Sequence, residues 1–467
     1  KFKNEEDFDL FIKNYALIEN LLTHYEALNE VIVLNMAFVL EHFDEVSLWL
    51  NSREFKEKYE DINHPYPPLL NPDKLNDENY ILNYEKISAN LAWEMNLPLP
   101  RRYEFVCLRG HGSGGVALSN FLKLCGINTI DYFCQGNGFE RYCKFYRKLL
   151  ELKDERNCIA INDVAASWYG NLELRDKLFA SFDKITPVIF QVRDPIELIK
   201  HAYGRKWGNS LAKLKEFSLN HSFEDVIKAP QKYDYNLPNN FLGQTAQSLI
   251  WTTLSSCFKR FEDVTYLDIS RLRGEETIKT MQFLAKKFDF KLPHKELHHH
   301  FTKSFYDGNL VFLLPLTLWV EKPNLQSKIA IHLTYTKTDL NDSSLINLYD
   351  KMPNLPKTSS FIGFYMKNLD YESLSKDTIL YEKICNYLCE FINNLLKRIE
   401  IERDLMLKSE MVLEHLKNND EARKSLKEIL DKELVVLKQN CPDIVNSWKY
   451  YKEFEKICEE LGSAERD

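Results

Sequence analysis

No stretch of the chain reaches the roughly 18 uninterrupted apolar residues that a membrane-spanning helix requires. The best candidate, Leu310 to Val320, is too short. The chain is therefore expected to be soluble and cytoplasmic, without a transmembrane segment, at most associated peripherally with the inner membrane. Its first residues, Lys1 to Asp9, are charged rather than leader-like. An excess of positive charge is also missing: 61 Lys and Arg against 69 Asp and Glu leave a net charge of −8. That is the wrong sign for wrapping nucleic acid over a broad surface, so any bound anion must sit in a local basic pocket. The ten cysteines contain no Cys-x-x-Cys and no regular spacing, which favours reduced thiols over a disulfide framework or a metal site. No segment repeats with a fixed period, which disfavours a solenoid.

What is present is enough apolar material for real cores, 44% hydrophobic against 28% charged residues, in a chain of 467 residues. Such a length is about three times that of one domain, so two or three domains are expected. Residues 1–72 carry apolar positions at helical spacing and end in a run with four prolines, His64 to Pro72, which cannot be helical because proline removes donors and extends the preceding residue. Residues 73–300 read as an α/β core. Short apolar runs, Tyr103–Leu108, Asn157–Ile161, Pro187–Val192 and Val264–Ile269, alternate there with helix-forming sequence, including an amphipathic segment Leu242–Phe261. That alternation predicts an α/β fold with a mostly parallel sheet, flanking helices and a ligand site at the carboxyl ends of the strands. Residues 301–370, with Leu310–Val320, Ile329–Tyr335 and Ser360–Met366, read as a β-containing insertion. Residues 371–467 are helical in pattern and rich in Glu, Lys and Leu, a candidate oligomerisation arm.

Arg109-Gly110-His111-Gly112-Ser113-Gly114-Gly115 places four glycines in six positions between a strand and a helix. Glycines allow successive N–H groups to point inward as a nest, and the following helix adds its positive end, which suits phosphate or sulfate. Arg109, His111 and Ser113 offer further donors. No Gly-Lys-Ser/Thr follows, so this is not a Walker A loop. Gly110, Gly112 and Gly115 do match G-x-G-x-x-G, with Asp131 about twenty positions on, which keeps a dinucleotide site as a rival. The bland alternative is a tight turn whose glycines serve packing only. A second element, the strand Val188–Val192, delivers Arg193 at its carboxyl end, then Asp194 as a plausible cap and Pro195 at the first helical turn. His201 lies two turns along, close to Tyr203. The bland alternative for Arg193 is a salt bridge to Asp163 or Asp194.

A Gly-rich loop opening the sheet, followed by a strand ending Arg-x-Pro with a polar residue eight positions after the Arg, resembles the signature of sulfotransferase-like P-loop proteins. Leu249-Ile250-Trp251, the strand Val264–Asp268 and the helix Thr277–Phe288 are similar to that family's last core strand and its helices. The resemblance implies that Gly110, Gly112, Ser113, Gly114 and Gly115 hold one phosphate of a nucleotide donor, and that Arg193 with the residue at position 201 holds another. Two departures bear on the donor. His201 stands where the family has a serine for the 3′-phosphate, and the family's late Arg-Lys-Gly segment is not visible, with only Lys303 or Arg205-Lys206 as substitutes. The run Tyr66-Pro67-Pro68-Leu69-Leu70-Asn71-Pro72 together with the loop also resembles a family of Campylobacter and Helicobacter surface-glycan loci. To that family the capsule O-methyl phosphoramidate transferases are similar; they use a CDP-linked donor, which has no 3′-phosphate.

These resemblances imply a transferase that moves a phosphoryl-type group from a nucleotide donor to a hydroxyl of a capsular sugar, with PAPS-dependent sulfotransfer or glycosyl transfer as alternatives. A glycosyltransferase lacks support from any metal-binding Asp-x-Asp. A non-catalytic interaction protein working through its C-terminal helices is a third class. The chemistry needs charge neutralisation and one general base. His111, Asp163 and His201 are the candidate bases, Arg109 and Arg193 the candidate stabilisers, and Tyr203 a candidate cleft residue. His298-His299-His300 reads as a solvated face and Cys385 with Cys389 as core, so no metal site is expected. Trp168-Tyr169 and Trp207 read as packing.

Overall fold

A computed structural model describes residue 2 and residues 5–23, 26–132, 135–205, 213–227, 233–243, 248–258, 261–302, 313–322, 328–334, 344–357 and 362–464. Lys206, Trp207 and Lys303 lie outside the described residues.

Strand β1 (Phe105–Arg109) is buried along its whole length, as its unbroken run Phe-Val-Cys-Leu demands of a strand covered on both faces. It lies at the centre of a five-stranded sheet with β2 (Ile127–Ile130), β3 (Arg156–Ile161), β4 (Thr186–Val192) and β6 (Phe261–Asp268), in the order β2-β3-β1-β4-β6. Every pairing is parallel. The protein therefore has an α/β fold with an all-parallel sheet, and the four strands read from apolar runs are found within a few residues of their expected limits.

Alternation along β1 separates two layers. Phe105 and Cys107 pack with Leu118, Phe121 and Leu122 of the helix Gly115–Leu124 and with Met281 and Leu284 of the helix Glu276–Lys287. Val106 and Leu108 face the other way, onto Tyr142, Tyr146 and Leu149 of the helix Gly138–Glu151 and Ile196 and Leu198 of the helix Pro195–Gly204. The chain thus leaves β1 towards one face of the sheet and leaves β3 and β4 towards the other. This reversal opens a crevice beyond the carboxyl end of β1, where open α/β sheets bind ligands.

The N-terminal helices share the apolar core of the second layer, through Ile18, Leu21, Ile32, Val39 and Val46. The proline run is non-helical, as expected. It is tied down by Trp49 Nε1 donating to the Pro68 carbonyl at 2.9 Å, and Pro72 starts a short helix capped by Asn71.

A second sheet, in the order β5-β7-β8-β10-β9, is built from β5 (Glu216–Ser218), β7 (Leu316–Glu321), β8 (Lys328–Thr334), β9 (Leu345–Asn347) and β10 (Gly363–Lys367). The insertion is β-containing as expected, but it recruits β5 from within the range 73–300, paired parallel to β7. Leu316, Leu318 and Val320 alternate inward against Ile384, Leu388 and Phe391 of the helix Thr378–Leu405. The expected helical region 371–467 is therefore divided: the helix Thr378–Leu405 covers the second sheet, whereas Val412, Leu416, Leu426, Leu437 and Phe454 pack in the core of the parallel sheet. The amphipathic segment Leu242–Phe261 is helical only at Trp251–Cys257 among its described residues.

The last helix, Lys449–Ala464, docks at the carboxyl ends of β4 and β6. Trp448 Nε1 donates to Asp268 Oδ2 at 2.7 Å. Asp194 accepts from the N–H of Ile196 at 2.9 Å, capping its own helix, and through its other oxygen from the N–H groups of Tyr450 and Tyr451 at 3.0 and 3.2 Å. Among the described residues no helix is long and apolar enough to cross a membrane.

Candidate functional site

The turn after β1 runs over Gly110–Gly114, and the helix Gly115–Leu124 begins directly behind it. Gly112 and Gly114 have φ of 79° and 95°, the left-handed region that a β-carbon disfavours. Gly112 also allows a close approach: a Cβ there would lie 2.7 Å from Cδ2 of His201, so the loop rests on the helix Pro195–Gly204. The Ser113 hydroxyl turns inward and donates to the Gly110 carbonyl at 2.7 Å. The N–H groups of Gly112, Gly114, Gly115 and Val116 donate to no acceptor among the described residues. These four amides and the helix N-terminus form a surface polarised for an anion.

Arg193, 6% exposed, reaches the same place. Its Nη1 donates to the Gly112 carbonyl at 2.7 Å and its Nε to Glu197 Oε2 at 3.1 Å. Burial lowers its guanidinium from the ordinary arginine value. Glu197 is also contacted by Arg273 at 3.1 Å and Lys200 at 3.5 Å. Burial would raise its carboxyl, but Arg193, Lys200 and Arg273 outweigh that and hold it at about 2. Three cations thus meet one carboxylate beside the loop. His201 is half-buried against Gly112 and kept neutral, with its imidazole well below 6.5, chiefly by burial and then by Arg193, Arg205, Lys200 and His111. His111 is half-buried, its ring centroid 6.3 Å from that of Trp168. Burial lowers its imidazole too, against the opposing pull of Asp163 and Asp131, so it is neutral near pH 7 and able to accept a proton.

Several expected site residues are engaged elsewhere. Arg109 pairs with Asp131 and donates to the Gly115 carbonyl at 2.9 Å and to Ser119 at 3.0 Å, so it pins the start of the helix and does not line the cup. Asp163, fully buried, accepts from Arg141 Nη1 through both oxygens at 2.9 and 3.1 Å. Arg141 in turn lies over the Tyr169 ring at 4.1 Å and donates to the Trp168 carbonyl at 2.8 Å. With both oxygens held by Arg141 inside the fold, Asp163 is less open to a ligand than the half-buried His111. Tyr203 packs edge-on to Phe241 at 6.0 Å, on the core side of its helix. The dinucleotide rival loses its acidic residue, since Asp131 is taken by Arg109. In dinucleotide-binding sheets the second strand lies beside the first; here β3 does, and β2 is one strand further out. Lys200, Glu197 and Arg273 escaped the sequence reading, although the i, i+3 spacing of Glu197 and Lys200 already puts those two on one face of the helix that follows Arg193.

Two outcomes test this geometry. Gly112→Ala places a methyl 2.7 Å from His201 Cδ2 at a positive φ, so it is expected to cost about 1–3 kcal/mol and to weaken anion binding, measured by denaturant melts and phosphate titration. Acidification is the other. His201 has its native value below the unfolded value near 6.5, so below that pH the unfolded chain takes up a proton that the native state refuses. Stability is expected to fall as pH drops below about 6.5, by up to about 1.4 kcal/mol per pH unit, and His201→Gln should flatten the slope of urea midpoints against pH.

Among the described residues no group of three or more His, Cys, Asp or Glu is placed to hold a metal ion. No curated protein and no solved structure matches the chain. Residues 266–461, which begin inside β6, leave out the Gly-rich loop and Arg193, and end in the helix that docks on Asp194, match the family described as Protein of unknown function (DUF2972).

Proposed function

We propose that the chain is a group transferase that moves a phosphoryl-type group, O-methyl phosphoramidate, from a CDP-linked donor to a hydroxyl of a capsular polysaccharide sugar, on a sulfotransferase-like P-loop core. The observation that carries the reading is the meeting of four amides at the loop and helix start, without an acceptor among the described residues, with Arg193 beyond the carboxyl end of the central parallel strand. In-line transfer requires little of the protein beyond positioning and charge neutralisation. The loop amides hold oxygens of the donor, and Arg193 neutralises charge that develops on the nucleotide leaving oxygen. The acceptor oxygen forms the new bond to phosphorus as the bond to the leaving oxygen breaks. His111 takes the acceptor proton. The inward turn of Ser113 leaves that residue to shape the loop.

The surplus of cations around Glu197 favours a second reading, PAPS-dependent sulfotransfer, because Lys200 and Arg273 suit an additional phosphate. Thermal melts with CDP, CMP, PAP, UDP and NAD separate the readings. A ligand at about 100 times its Kd stabilises the fold that binds it by about 2.7 kcal/mol. CDP is expected to raise the melting temperature most; a larger rise with PAP would replace the donor, and no rise with any nucleotide would overturn the proposal.

A further inference from the structure

Gln191 is the one polar side chain in the buried run Val188–Val192 of β4, and it is 0% exposed. Strand alternation turns it, like Ile189, to the face that carries the helix Gly115–Leu124. Its register partner on β1 is Arg109. Gln191 Nε2 donates to the Ser113 carbonyl at 3.4 Å, and a Cβ on Gly114 would lie 3.7 Å from the same nitrogen, so the amide sits directly beneath the loop. No other donor among the described residues reaches that carbonyl. The other end of the side chain is open, because Oε1 is buried without a hydrogen-bond partner among the described residues. Gln191 therefore closes one buried acceptor and brings in another, an exchange that is near neutral for stability. What the glutamine adds is direction. A trans peptide unit points its C=O and its N–H in opposite senses. Holding the Ser113 carbonyl down on β4 turns the Gly114 N–H, which has no acceptor among the described residues, up towards the anion cup. Arg109 acts alike further along, since its bond to the Gly115 carbonyl at 2.9 Å fixes the peptide that bears the Val116 N–H.

We propose that Gln191 is a positioning residue for the anion site, aiming the Gly114 amide at the donor's phosphate through its bond to the Ser113 carbonyl, a role that rests on the loop being that site. Ser-Gly occurs once in the chain, at 113–114. The full chain labelled with carbon-13 at serine carbonyls and nitrogen-15 at glycine amides therefore gives one correlated magnetic-resonance signal, from the Ser113–Gly114 peptide. Inorganic phosphate and CDP are each expected to move that signal downfield in the proton dimension, as the N–H gains an anionic acceptor. Gln191→Leu and Gln191→Met remove the bond and keep a side chain of similar size. Both are expected to leave the urea midpoint nearly unchanged, to weaken CDP binding about tenfold in calorimetric titration, and to shrink the downfield movement of the Gly114 signal. A signal that stays in place in the unsubstituted chain would remove the anion site and this role with it. Equal movement, or equal CDP affinity, in the unsubstituted chain and the variants would overturn the role of Gln191 alone. Unfolding of both variants would make Gln191 a core residue and overturn that role as well.

Discussion

Arg193→Ala is expected to lower nucleotide affinity by about 100-fold, the equivalent of about 2.7 kcal/mol, while the fold survives. The guanidinium is buried between the loop and Glu197, so its charge acts in a medium that screens it little. Truncation removes a charge-assisted contact to the anion, worth about 1.5–3 kcal/mol. It also releases the Gly112 carbonyl and lets the loop amides lose their common direction. Glu197 is not stranded, because Arg273 and Lys200 still face it. Arg193→Lys keeps the charge but cannot bond Gly112 and Glu197 together, so an intermediate loss is expected. Calorimetric titration with CDP, alongside circular dichroism melts, measures both parts. Unchanged affinity in Arg193→Ala would remove the anion site from the end of β1.

Arg141→Ala is expected to cost about 3–5 kcal/mol of stability, because it leaves the Asp163 carboxylate buried without its partner. Against a total of about 5–15 kcal/mol for a folded domain, that is enough to unfold much of the protein at elevated temperature. Asp163→Asn should cost less, since the amide keeps one acceptor for Arg141. These expectations separate a structural carboxylate from a catalytic one. If Asp163 serves the fold, Asp163→Asn lowers the urea midpoint and leaves the pH profile of transfer unchanged. His111→Ala should do the opposite, sparing the midpoint and removing transfer. Loss of transfer in Asp163→Asn with an unaltered midpoint would return the base role to Asp163.

Strands β1, β3, β4 and β6 were legible because a strand covered on both faces needs a continuous apolar run closed by turn residues, and Tyr103–Leu108 or Pro187–Val192 has no other use for such a run. β5 and β9, three residues each, carry too few residues for any period to show. The cut within the C-terminal helices was illegible for a different reason. The helix Thr378–Leu405 and those after it have the same amphipathic pattern, and the pattern states that a face is buried without stating against what.

The sequence by itself determined the local devices: the left-handed glycines of the loop, the Asp194 cap with Pro195 behind it, and the delivery of Arg193 at a strand end. Each rests on backbone geometry within one turn of chain. Only the tertiary structure decided which charges were already spent. Arg109 and Asp131, like Arg141 and Asp163, stand 22 positions apart, and whether they meet depends on which strands the crossovers bring together. It also decided that Asp194 holds the first turn of a helix more than 250 positions away. Ion pairs and shared caps follow from the order of strands and the depth of burial, and those are properties of the assembled chain.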